Sequence, residues 1–192
     1  MKIAIAALLV CAASLAAFPA QAGNNVFTGI VTAQPTCLPN TTGRLVLSAA
    51  GGVQHLHIEA FKLPPNTGFD VFIIQVPKAP FGMSWYQGDF TTDAAGNGVV
   101  DFVGVFSKET FMLAPGVAPA PVVFPDDASS NPATPPVQMY HVGIWFDSPA
   151  AAVSAGCANT VTKFNGTHNA GVQALNTSNF ADLTGPLRFF NP

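Results

Sequence analysis

The clearest periodicity in the chain lies at Val53-Gln54-His55-Leu56-His57-Ile58-Glu59-Ala60, where Leu56, Ile58 and Ala60 alternate with His55, His57 and Glu59. A period of two puts the apolar residues on one face and the polar ones on the other, which predicts a strand with one wet side. Leu63-Pro64-Pro65-Asn66-Thr67-Gly68 ends it, because proline cannot donate to a ladder and glycine relaxes the turn. Phe69 to Val76 is apolar at almost every position, with Asp70 the exception, and predicts a strand buried on both faces. Ser84 to Thr92 and Val99 to Phe106 flank Asp93-Ala94-Ala95-Gly96-Asn97-Gly98, which reads as a hairpin with its positive φ angles at Asn and Gly. Gln138 to Asp147 alternates again, with Tyr140, Val142, Ile144 and Phe146 on one side and Met139, His141 and Trp145 on the other.

Weaker strand signals lie at 26–32, 44–49, 110–113 and 187–190, and only Ala150 to Ala155 suits a helical turn or two. Residues 164–186 read as irregular. The segment 114–136 carries prolines at 115, 119, 121, 125, 132, 135 and 136, an extended stretch that serves as a surface crossover or as a binding lid. The pattern predicts an all-β, single-domain β-sandwich of the immunoglobulin-like or jelly-roll kind, with about eight or nine short strands.

The chain has 192 residues, of which 49% are hydrophobic and only 9% charged, against roughly 25% in ordinary soluble domains. Past the first twenty or so residues no apolar run reaches the ~20 residues of a spanning helix, so no transmembrane segment is expected in the mature chain. The opening is a basic Met1-Lys2, an apolar run from Ile3 to Phe18, and then Pro19-Ala20-Gln21-Ala22 before Gly23. That is the layout of a cleaved export signal over residues 1–22, leaving a secreted or periplasmic domain of 23–192. A lipoprotein signal on Cys11 is the rival, but Val10 precedes that cysteine where a small residue belongs.

Processing leaves Cys37 and Cys157, which in an oxidising compartment are expected to form a disulfide. It also leaves six basic residues against ten acidic ones, a net charge of −4, with no basic stripe for a phosphate backbone. Nucleic acid is therefore not an expected partner.

Candidate chemistry is sparse. His55 and His57 project from one strand face about 6.5–7 Å apart, a spacing that suits two imidazoles on one ion. With His141 or His168 as a third ligand they make a copper or zinc site, which is the alternative reading. The plain one is two solvated side chains, with no cofactor. Asp93, Asn97, Gly98 and Asp101 resemble a calcium loop only superficially, since Ala95 and Gly104 occupy positions that need oxygen ligands. No serine has the glycines of a nucleophile elbow, and Asp126-Asp127 are adjacent rather than opposed, so no catalytic residue is assigned. Trp85, Tyr86 and Trp145 are candidates for a surface aromatic platform that binds a glycan or a protein, or else for core filler.

Leu63-Pro64-Pro65-Asn66-Thr67, Phe69-Asp70-Val71-Phe72, Ser84-Trp85-Tyr86-Gln87-Gly88-Asp89-Phe90, Thr92-Asp93 and His168-Asn169-Ala170-Gly171-Val172-Gln173 resemble stretches of a family of bacterial secreted all-β proteins. The resemblance spans most of the mature chain and carries no assigned activity. Export, the fold class and the absence of chemical motifs lead instead to the expectation of an exported, non-catalytic binding or cell-envelope interaction module.

Overall fold

The computed structural model describes residues 25–109, 137–165 and 168–190. The export signal, the 110–113 strand signal and the proline-rich segment 114–136 lie outside the described residues.

Eight strands form one antiparallel sheet: β1 (Asn25–Thr32), β2 (Thr42–Ala50), β3 (Val53–Phe61), β4 (Gly68–Ile74), β5 (Ser84–Thr91), β6 (Gly98–Gly104), β9 (His141–Phe146) and β12 (Gln173–Asn176). Their order is β5-β4-β9-β12-β1-β2-β3-β6. Two small ladders stand apart, β7 (Lys108–Glu109) with β8 (Val137–Gln138) and β10 (Thr162–Asn165) with β11 (His168–Ala170). One helical turn, α1 (Pro149–Ser154), is capped by Ser148, whose Oγ accepts from the Ala151 N–H. Among the described residues no helix is long and apolar enough to cross a membrane.

The all-β expectation holds, and the opposing layers of the expected sandwich are walls of one curled sheet. Its interior collects Ile30, Leu45, Leu47, Leu56, Ile58, Phe69, Val71, Ile73, Val142, Ile144 and Phe146, all fully or almost fully buried. In β3 the burial alternates as the sequence predicts, with Leu56, Ile58 and Ala60 inward.

The sheet is nearly closed, because the end strands β5 and β6 lie side by side. They do not form the expected hairpin: β5 pairs with β4 and β6 with β3, and among the described residues no ladder joins β5 to β6. The reason lies in the residues that face each other there. A Cβ on Gly98 would overlap the Phe90 ring, and one on Gly88 would stand 2.5 Å from the Phe102 ring. Rings laid over the glycines of the opposite strand fill the junction, so side chains rather than amides close the seam. The turn itself forms as expected, with Gly96 at φ 77°, although Asn97 keeps a negative φ. Asp93 Oδ1 accepts from the Ala95 and Asn97 N–H groups, and the Asn97 amide above all holds this carboxyl below its ordinary range.

Two further expectations are corrected. Residues 187–190 are not a strand but a 3₁₀ turn, Pro186–Phe189, whose leading proline suits the first helical position. The stretch 164–186 is not irregular throughout, since it contains β11 and the interior strand β12.

Cys37, in the β1–β2 loop, is bonded to Cys157 just after α1, with Cα atoms 5.3 Å apart across 120 residues of sequence. Closing so long a loop contributes about 4–5 kcal/mol on the chain-entropy model. Replacing both cysteines by alanine is expected to lower the unfolding free energy by about 3–5 kcal/mol. Urea denaturation of the two proteins checks this, and a difference within error would show that the bond does not constrain the denatured chain.

Candidate functional site

β4, β9 and β12 are buried on both faces, so a second apolar layer lies outside the sheet. Phe72, Ile74, Trp145 and Ala170 form it, with Phe81 and Phe164 packed against them. The β10–β11 hairpin supplies Phe164, whose ring meets Phe72 edge-on at 4.9 Å and Tyr86 at 5.3 Å. The Trp145 ring meets Phe72 at 5.1 Å and Phe81 at 5.1 Å. Of the three sequence candidates, Tyr86 and Trp145 thus join one cluster through Phe72. Trp145 is not a surface residue, being only 3% exposed, because the hairpin and the β4–β5 loop cover it. Trp85 packs partly against the main core instead, with its indole N–H donating to Gln87 Oε1.

Beside this cluster opens a cleft of about 490 Å³. Thr32 and Gln34 border it from the end of β1, Lys78 and Phe81 from the β4–β5 loop, and Gln173 and Asn176 from β12. The two amides come together through a bulge. The β12–β9 register shifts between Gln173 and Leu175, so Ala174 and Leu175 both reach the core while Gln173 and Asn176 face outward. Asn176 Nδ2 donates to Gln173 Oε1 at 2.8 Å and to the Pro77 carbonyl at 3.1 Å. Gln173 Nε2 is buried and has no hydrogen-bond partner among the described residues. Gly143 makes room for it, since a Cβ there would lie 2.8 Å from that nitrogen and equally close to the Trp145 ring.

On the other flank of the aromatic cluster stands Asp70, opposite Asp89 on β5 and Trp145 on β9. Its Oδ2 is buried, 3.7 Å from His168 Nε2 and without a hydrogen-bond partner among the described residues. Burial pushes the carboxyl up to about 6, opposed by the charge of His168 and reinforced by Asp147 and Asp89. Tyr86 donates its hydroxyl hydrogen to Asp89 at 2.8 Å, and burial followed by that bond pushes the phenol to about 12. With its side chain 2% exposed, Asp70 titrates beneath the surface, where its charge acts on the fold rather than on a dissolved substrate.

The histidines are dispersed. His57 pairs with Asp101 at 2.7 Å and lies 3.6 Å from Glu59, which also meets Arg44, so it belongs to a surface charge network across β2, β3 and β6. His55 is exposed one pleat away, opposite Val103. His141 is not on a wet face. It is fully buried, with Nε2–H donating to the Asp182 carbonyl and Nδ1 accepting from Thr177 Oγ1, and burial lowers its pKa. Four strand steps, about 19 Å along the sheet, separate it from β3. His168 donates to the Asp147 carbonyl at 3.0 Å. The structure therefore does not bring His141 or His168 to the His55/His57 pair. Among the described residues no group of three or more His, Cys, Asp or Glu side chains is placed to hold a metal ion.

No family model matches the chain, and no curated protein matches it significantly. Sequence reasoning missed Gln173, Asn176, Phe72 and Phe164. Only Asp70 carried a signal, as the one charge in an apolar strand.

Asp70 gives a signed pH dependence. A carboxyl raised from 3.8 to about 6 binds its proton more tightly when folded, so its contribution to stability is full below pH 4 and is lost as the pH climbs to 6. Asp70→Asn is expected to stabilise the protein at pH 8 by about 2–3 kcal/mol while changing little at pH 4. Urea titrations at both pH values check this; destabilisation at pH 8 would mean that the ionised carboxylate has a favourable partner.

Proposed function

We propose that the protein is an exported, non-catalytic binding module of the periplasm or cell envelope, and that the cleft beside Trp145 is its working surface. Export rests on the opening residues, and the Cys37–Cys157 bond supports it because such bonds persist in oxidising compartments. The observation that carries the binding reading is the open cleft itself, where the exposed Lys78 stands at the border of a floor that includes the paired amides of Gln173 and Asn176. The cleft volume falls within the roughly 300–1,000 Å³ of small-molecule sites, and its mix of an aromatic wall with a few convergent polar groups suits ligand recognition. Among the described residues its border carries hydroxyls, amides and one ammonium but no carboxylate, cysteine or histidine, the groups most often used for acid–base or nucleophilic work. Binding without turnover is the chemistry these residues support.

An amide-resolved NMR survey with a mixed library of neutral, acidic and basic fragments tests the reading. Hits are expected to shift the Gln173 and Asn176 side-chain amides and the Trp145 indole ahead of any other group. Hits scattered over the sheet, or confined to the His57 network, would move the working surface elsewhere. Cell fractionation should recover a chain beginning at Gly23 outside the cytosol, and recovery of a chain beginning at Met1 inside it would end the envelope reading.

A further inference from the structure

Building on the reading of the cleft as a binding site, we infer that its ligand is an acidic saccharide, a hydroxylated ring bearing a carboxylate. The argument turns on what the cleft offers and what it lacks. Lys78 is exposed at its border, and among the described residues no carboxylate lies within salt-bridge distance of its ammonium. Among the described residues no acidic side chain borders the cleft, so Lys78 gives it one positive charge, which attracts an anion and repels a cation.

Charge alone does not describe it. Thr160 and Ser178 bring hydroxyls to the border, beside those of Thr32, which accepts from the Gln34 N–H, and Thr162, which donates to the Gly171 carbonyl, while Gln34 brings a side-chain amide. Hydroxyls both donate and accept, and a ligand rich in hydroxyls can pair with them, whereas an apolar ligand would displace their water without replacing its hydrogen bonds, at a cost. A simple inorganic anion would engage Lys78 and leave the amide floor empty. Phe81 adds an apolar wall that suits the C–H face of a sugar ring. A uronic-acid unit meets all three demands: its carboxylate faces Lys78, its hydroxyl edge faces the threonines and the Gln173 amide, and its ring lies toward Phe81.

The test uses digalacturonate, the neutral disaccharide maltose, and sodium acetate, titrated separately into the whole mature protein and followed by NMR shifts of the Gln173 amide and the Trp145 indole. Digalacturonate is expected to bind at least about tenfold more tightly than either of the others, the worth of one charge-assisted contact. Lys78→Ala should remove that advantage, and Lys78→Arg should retain most of it. Position 78 is exposed, and an unchanged thermal midpoint in both variants excludes misfolding as the cause. Equal binding of maltose, indifferent to Lys78→Ala, would overturn the acidic character while leaving the cleft a binding site. Acetate binding as tightly as digalacturonate would overturn the saccharide. No shift with any of the three also overturns the proposal, and the fragment survey then decides separately whether the cleft binds anything.

Discussion

Three neighbouring strands of one curled sheet are buried on both faces, and most of the architecture follows from having to cover the second face. An antiparallel sheet with one wet side needs only an interior. Here β4 and β9 send Phe72, Ile74 and Trp145 outward, and exposing them would forfeit about 1.5–3 kcal/mol for each large side chain. The β10–β11 hairpin, the β4–β5 loop and the segment after β12 form the cover. Where their coverage ends the cleft begins, so the proposed binding surface is the margin of a packing solution.

The same layering explains which parts of the fold were legible in the sequence. β3 has one wet face, and its alternation identified both its register and its inward residues. β12 has none: Gln173-Ala174-Leu175-Asn176 is short, bulged and covered on both sides, so its two amides read as loop chemistry although they lie in an interior strand. Alternation in β9 was real, but it could not say that the face holding His141 and Trp145 has a cover of its own, built from residues far along the chain. The turn between β5 and β6 was also legible. The absence of a ladder beside it was not, because it depends on Phe90 and Phe102 lying over glycines of the opposite strand.

Candidate chemistry was harder to read for a related reason. His55-x-His57 satisfies a rule of spacing, yet a third ligand depends on strand order, and β3 and β9 stand four steps apart. Asp70 was visible as an anomaly, and its meaning came only from the cover. Placed under a hairpin beside two other carboxylates, it carries a cost at neutral pH that a wet aspartate would not. In a chain with so few charges, one such group has a large share in how stability varies with pH.

The seam between β5 and β6 has a mechanical side. Everywhere else around the sheet, widening the girth would break rungs of backbone hydrogen bonds, whereas at this junction only aromatic rings resting on glycines need to slide. The molecule is built as a cuff with a soft clasp, and any breathing of its interior will begin at that clasp, away from the cleft.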